Sequence, residues 1–201
     1  MSVFPIGFDP DVWVRVPTDW QNEAWPDAAV WAAWVAEELT RARENAAHWN
    51  EVLREEAARI AGFPADRISA RFWYFPIDGE PRGWVDVFVQ RRDADGTDAV
   101  DLLPDAGATL IEPAIDLVDD EGFTSAARRL TLVPLGESSL GAGRSGILSK
   151  AEWTAVAGDW IVYLVSFDTD PRRLTARLLD IETLLGGINP EVLAALPEAA
   201  S

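Results

Sequence analysis

Hydrophobic residues recur at helical spacing in one block near the start of the chain. Pro26 and Asp27 begin the block, and apolar positions then repeat every three or four residues over 27–43 and again over 44–61. No glycine or proline separates the two stretches. We therefore predict a helical region over 27–61, as one long or kinked helix in preference to a helical hairpin.

From residue 70 onward the hydrophobic period changes to two, which is typical of half-buried strands. The Asp78-Gly79 and Asp95-Gly96 steps are preferred in turns that connect antiparallel strands. The region 70–167 is therefore predicted to be mainly antiparallel strands. These strands cover 72–75, 84–89, 99–103, 109–118, 124–133, 147–156 and 160–167, and an earlier extended segment contains Trp13–Val16.

Asp170 and Pro171 begin a last amphipathic helix, which is predicted over 171–186 and is followed by glycine. The strands are separated by short turns, so the pattern does not support parallel βαβ units. We predict a single α+β domain over 1–201. Its antiparallel sheet has about five to seven strands, with the N-terminal long helix or helical hairpin and the C-terminal helix packed on it.

Charge and composition restrict the classes of partner. The chain has 34 acidic and 17 basic residues, a net charge of −17, which repels phosphate backbones and anionic membranes. We therefore expect no nucleic acid and no membrane as partners, while a basic protein partner is compatible with this charge. No leader and no apolar run of bilayer length is recognisable, so a cytoplasmic location is expected.

Several motifs resemble chemical sites without meeting all the requirements of one. Gly141–Gly146 matches G-x-G-x-x-G, but a dinucleotide site needs a helix after it, and residues 147–156 have the pattern of a strand. The motif is therefore interpreted as a connecting loop. The chain has no cysteine, and its serines lie in no G-x-S-x-G sequence, so no nucleophile can be selected.

Metal binding is likewise not supported by the spacing of the candidate ligands. Asp93, Asp95, Asp98 and Asp101 surround a glycine, but the loop lacks the glycine and glutamate positions of an EF-hand. His48, the only histidine, shares a predicted helical face with two glutamates but has no second histidine to complete a bundle site. We assign no catalytic, cofactor-binding or metal-binding residue.

Both ends of the chain resemble a known family. The opening Trp13-Val14-Arg15-Val16-Pro17-Thr18-Asp19-Trp20 is similar to the start of Mog1/PsbP-like domains. The strand 160–167, followed by Asp170-Pro171 and a helix that ends in Leu184-Leu185-Gly186-Gly187-Ile188, resembles the close of such domains. Uncharacterised actinobacterial proteins share this pattern. The resemblance implies a non-catalytic, partner-binding domain.

Tryptophan is the most unusual component of the composition. The chain has ten tryptophans, and five of them lie between Trp13 and Trp34, so large apolar surface is concentrated there. These rings belong either to the core or to an exposed patch that binds a protein partner. The candidate interaction residues are Trp20, Trp25, Trp31, Trp34, Glu37 and Glu38.

The function predicted from these observations is a non-catalytic acidic protein-interaction module, such as an accessory, adaptor or immunity-like protein. An enzyme or small-ligand binder with a pocket between sheet and helices is the alternative. A structural component of a larger assembly is a second alternative. The sequence leaves the oligomeric state and the partner open.

Overall fold

Seven strands and four helices make up the described part of the chain. The computed structural model describes residues 6–21, 24–76, 83–92, 97–135, 146–189 and 192. The strands are β1 (Trp13–Val16), β2 (Ala70–Tyr74), β3 (Trp84–Arg91), β4 (Ala114–Leu117), β5 (Ser125–Leu135), β6 (Gly146–Ala157) and β7 (Trp160–Asp168). The helices are α1 (Ala28–Thr40), α2 (Ala46–Ala61), α3 (Pro171–Ala176) and α4 (Leu178–Gly186).

All seven strands form one antiparallel sheet in the order β1-β2-β3-β7-β6-β5-β4. Side chains alternate between the two faces of each strand, so neighbouring residues enter different cores. Phe72 of β2 belongs to a cluster with the apolar residues of α3 and α4, whereas Trp73 belongs to a cluster with α1 and α2. The prediction of an α+β fold with an antiparallel sheet is confirmed.

The N-terminal helical region is two separate helices, and the preference for one long or kinked helix was wrong. α1 ends at Thr40 and α2 begins at Ala46. Asn45, the residue before α2, has φ 57° and ψ 35°, which is a left-handed conformation that a right-handed helix cannot include. Asparagine adopts this conformation more readily than most residues, so it replaces the glycine or proline that was expected at a break.

The C-terminal helix predicted over 171–186 is also interrupted, and the residue at the break is the fully buried Arg177. Its guanidinium donates to Ser166 Oγ at 3.1 Å, to the Phe167 carbonyl at 2.6 Å and to Asp168 Oδ2 at 2.7 Å. Burial lowers the pKa of this guanidinium, and the hydrogen bond to Asp168 opposes the shift. Arg177 therefore attaches α3 and α4 to β7.

Two predicted strands differ from the structure. Residues 99–103 form a turn, and within 109–118 only β4 is extended. Among the described residues β3 pairs with β2 over 84–87 and with β7 over 85–91, and the strand that follows it in the chain, β4, pairs with β5 instead. The β6–β7 hairpin is present, and its turn contains Gly158 at φ 55°. The predicted Asp78-Gly79 and Asp95-Gly96 turns lie outside the described residues.

Candidate protein-interaction surface

Helix α1 is apolar on both its inner and its outer side. Its sequence begins Ala-Ala-Val-Trp-Ala-Ala-Trp-Val-Ala, and Asp27 caps it by accepting a hydrogen bond from the Val30 amide at 2.9 Å. The inner side is buried against α2 and the sheet. On the outer side Val30 and Trp34 are each 45% exposed. A helix that packs on one side only does not need apolar residues on the other side.

The structure separates the predicted tryptophans into core and surface. Trp31 is 1% exposed and lies in the cluster between α1, α2 and the sheet, so it belongs to the core beneath the predicted interaction surface. Trp20 and Trp25 are half-buried and pack against the same cluster. Trp34 is the exposed member of the set. Glu37 and Glu38 are also exposed.

Trp34 does not stand alone on the helix surface. The rings of Trp25 and Trp34 lie 4.7 Å apart between centroids, tilted by 44°. This contact holds the exposed indole against a partly buried one and reduces the conformational entropy that Trp34 would lose on binding. We define the α1 patch as Trp25, Val30, Trp34, Glu37 and Glu38.

The two glutamates of the α1 patch lie in an unfavourable electrostatic position. Both occupy the last turn of α1, where the helix dipole is negative and acidic side chains cost about 0.3–1 kcal/mol. Glu38 forms an ion pair with Arg41. Within the described chain Glu37 has no ion-pair partner, and it lies one turn after Trp34. A basic group from outside the chain would relieve this unfavourable charge.

A separate, concave surface lies between α2 and the sheet. The cavity has a volume of about 630 Å³ and contains both acidic and basic side chains. Arg59 from α2 lies over the ring of Trp84, 5.4 Å from its centroid. The charged and aromatic lining residues are Glu55, Glu56, Arg59, Trp84, Phe167, Asp168 and Arg173.

The sequence did not reveal a buried ionic cluster on β5, β6 and β7. Glu152 is fully buried, and Arg129 donates to its Oε2 from Nε at 2.9 Å and from Nη2 at 2.7 Å. Lys150 Nζ lies 2.6 Å and the Tyr163 hydroxyl 2.7 Å from Oε1. Burial, together with the bond to Glu152, raises the pKa of Tyr163. Because both carboxylate oxygens are satisfied, this cluster has a structural explanation. In the sequence, the only indication of this cluster was the presence of charged residues at positions predicted to be in strands.

The remaining motifs provide no chemical site among the described residues. Residues 141–145 and the acids Asp93 and Asp95 lie outside them, and Gly146 begins β6 where a dinucleotide site needs a helix. His48 is exposed on α2. No three histidine, aspartate or glutamate side chains of the described chain lie close enough together to hold a metal ion. No helix in these ranges is long and apolar enough to cross a bilayer.

A comparison of the chain with models of known protein families, with curated proteins and with solved structures finds no match. The resemblance of the two chain ends to Mog1/PsbP-like domains therefore stays a prediction.

Proposed function

We propose that this chain is a non-catalytic protein-interaction module and that the α1 patch binds a basic partner protein. One observation carries the proposal: Trp34 is exposed against Trp25 and lies beside a carboxylate that is unpaired within the described chain, at the end of the same helix. Tryptophan is enriched among the hot-spot residues of protein interfaces. This carboxylate, Glu37, and the net charge of −17 favour a partner with lysine or arginine at the contact.

The proposal keeps the cytoplasm as the expected compartment and predicts an accessory, adaptor or immunity-like role. It assigns Trp20 and Trp31 to the support of the α1 patch, because both pack in the cluster beneath it. The resemblance to Mog1/PsbP-like domains is compatible with such a non-catalytic role.

Site-specific crosslinking tests the proposal. A photo-reactive amino acid at the exposed Ala33, which is adjacent to Trp34, is expected to capture a basic protein in a lysate of the source cells. The same group at Leu179, which is exposed on α4, is the matched control. The captured protein is then purified and titrated against the variants.

Trp34→Ala is expected to weaken binding of that protein by at least ~30-fold, as for a hot-spot residue worth about 2 kcal/mol. Glu37→Gln is expected to weaken binding without lowering the free energy of unfolding, because it removes a charge that opposes the helix dipole. Equal affinity for wild type, Trp34→Ala and the control Leu179→Ala would refute the α1 patch.

Small-ligand binding is a second candidate function, and the cavity between α2 and the sheet favours it. Its volume is within the range of ligand sites, and Trp84 and Arg59 provide an aromatic and a charged contact. A fragment library screened by protein-observed NMR tests this candidate. Chemical-shift changes at Trp84 that disappear in the Arg59→Ala variant would support ligand binding in this cavity. A screen without chemical-shift changes at the lining residues would exclude it.

A further inference from the structure

The two sides of β4 have different hydrogen-bonding environments. β4 is an edge strand that pairs only with β5, and no other strand of the described chain lies on its outer side. The Val118 amide donates to the Ala126 carbonyl at 2.9 Å. In an antiparallel pair every second residue bonds to the neighbouring strand, so this bond determines which peptide groups of β4 face β5. The peptide groups of Ala114 and Asp116 therefore face β5, whereas those of Ile115 and Leu117 face the open side.

The side chains of the same two outward-facing residues are exposed on one face of the sheet. Ile115 is 48% exposed, and Leu117, at 79%, is the most exposed large apolar residue of the described chain. Edge strands are usually protected by short length, charge, proline or a bulge, and of these β4, with 4 residues, has short length. Here the only charged residue of β4 is Asp116, which lies on the opposite face and is paired with Arg128. We call the open side of β4, with Ile115 and Leu117, the β4 edge.

An acidic cavity adjoins the β4 edge at its C-terminal end. This cavity has a volume of about 500 Å³, and Leu117 forms part of its wall. Asp98, Asp101 and Asp119 line it, and no lysine or arginine is among its lining residues. These three carboxylates do not form a group that could hold a metal ion. Their field instead favours a cationic side chain of a partner.

We propose that the β4 edge binds an extended segment of another protein, in which apolar residues alternate with polar ones and a lysine or arginine lies at one end. Backbone groups of that segment pair with Ile115 and Leu117, and its apolar side chains pack on theirs. The basic residue lies two positions beyond the residue that is opposite Leu117, which is a distance of about 6.6 Å along the strand, and its side chain there reaches the acidic cavity. A second copy of this chain fits less well, because it would bring two sets of the three aspartates together.

This surface is independent of the α1 patch. β4 ends the sheet on the side opposite β1, whereas α1 and α2 pack on residues of β1, β2 and β3. The two surfaces therefore need separate variants, and failure of one proposal leaves the other standing.

A labelled peptide tests the proposal directly. The probe is a ten-residue peptide in which valine alternates with threonine and arginine occupies the first and the last valine positions, so that either strand direction brings one arginine to the acidic cavity. Its binding to the full chain is measured by fluorescence anisotropy. A peptide with glutamate in place of arginine is expected to bind at least tenfold more weakly. Added salt is expected to lower the affinity of the arginine peptide.

Variants of the chain locate the binding site. Leu117→Ser and the double variant Asp98→Asn/Asp101→Asn are each expected to weaken binding at least tenfold. Leu179→Ser, on α4, and Trp34→Ala are expected to leave binding unchanged. Hydrogen exchange followed by NMR is expected to show slower exchange of the Ile115 and Leu117 amides in the complex, since these two amides face the added strand.

Three results would overturn the proposal. The first is a failure of the arginine peptide to bind more tightly than the glutamate peptide at concentrations up to millimolar. The second is loss of binding in Trp34→Ala with none in Leu117→Ser, which would place the peptide on the α1 patch. The third is a dimer in sedimentation that Leu117→Ser dissociates, which would assign the edge to a second copy of the chain.

Discussion

The buried pair of Arg71 and Asp86 provides the strongest test of how this fold is stabilised. Arg71 on β2 is 2% exposed and lies directly opposite Asp86 on β3. Its Nε donates to Asp86 Oδ1 at 2.6 Å and its Nη2 to Oδ2 at 3.0 Å. The same guanidinium donates to carbonyls of Ile60, Phe63 and Pro64 at and beyond the end of α2. The pair thus joins the sheet to α2.

The substitution Asp86→Asn removes the charge but keeps the size of the side chain. Arginine stays protonated, so Arg71 would remain a buried cation without its counter-charge. Either orientation of the new amide also directs its NH₂ group at an Arg71 donor. Breaking a buried ion pair in this way costs about 3–5 kcal/mol, which is a large part of the total stability of a domain.

A matched control exists in the same sheet. Asp116 on β4 lies directly opposite Arg128 on β5, with 2.8 Å between Oδ2 and Nη2. The Asp116 side chain is 54% exposed, whereas that of Asp86 is 11% exposed. Asp116→Asn makes the same chemical change in the same cross-strand arrangement. Because water screens this pair, we expect a loss below about 1 kcal/mol.

Urea denaturation measures both variants. With a denaturant slope of roughly 2–3 kcal/mol per molar, the midpoint of Asp86→Asn should fall by about 1–2.5 M, and that of Asp116→Asn by less than about 0.5 M. Both changes remove one negative charge, so the general electrostatic effect cancels in the comparison. Equal midpoints for the two variants would show that burial does not set the strength of these pairs.

Two further predictions concern the two tyrosines and two of the glycines with positive φ. Burial and, second, the hydrogen bond to Asp180 raise the pKa of Tyr74 to about 12, and the pKa of Tyr163 is raised as well. A tyrosine in the unfolded chain loses its proton near pH ~10. The free energy of unfolding that these raised pKa values contribute is therefore fully present below that pH and should be lost as the pH rises from about 10 towards 12. Tyrosinate absorbance that develops near pH ~10 in the native protein would contradict this prediction. Gly83 and Gly107 both have positive φ, but a Cβ on Gly83 would lie 2.9 Å from Nη2 of the buried Arg177, whereas one on Gly107 meets nothing within 4 Å. In thermal unfolding, Gly107→Ala should lower the free energy of unfolding by about 1–2 kcal/mol, the cost of a side chain at positive φ. Gly83→Ala should lower it by about 1–3 kcal/mol more, because its Cβ also clashes with Arg177. Similar decreases for the two variants would mean that Arg177 moves aside.

Periodicity was sufficient to predict where most elements lie. β3 follows from alternation, and the β6–β7 hairpin follows from two long strand-like segments separated by the turn residues Ala157-Gly158-Asp159. The interruptions at Asn45 and Arg177 were not predictable from composition. Asn45 becomes a break because of its left-handed backbone, and Arg177 lies at a helix break while its side chain bonds to β7.

The candidate surface was only partly accessible to sequence reasoning. Trp31 and Trp34 are three residues apart in a helix whose first nine residues are all apolar, so the hydrophobic period could not separate core from surface. The β4 edge was missed because residues 109–118 were predicted as one long strand. Neither the open side of β4 nor the acidic cavity beside it has a local signature.

By itself, the sequence determined the α+β class, the approximate extent of the strands and helices, and the strongly acidic surface. These properties depend on local propensity, on side-chain period and on charge, all of which a single chain displays directly. Only the tertiary structure decided that β3 pairs with β7, that Trp31 is buried while Trp34 is exposed, and that Arg71 meets Asp86. Periodicity tells which residues share a face, but the partner of that face is chosen by contacts between residues far apart in the chain.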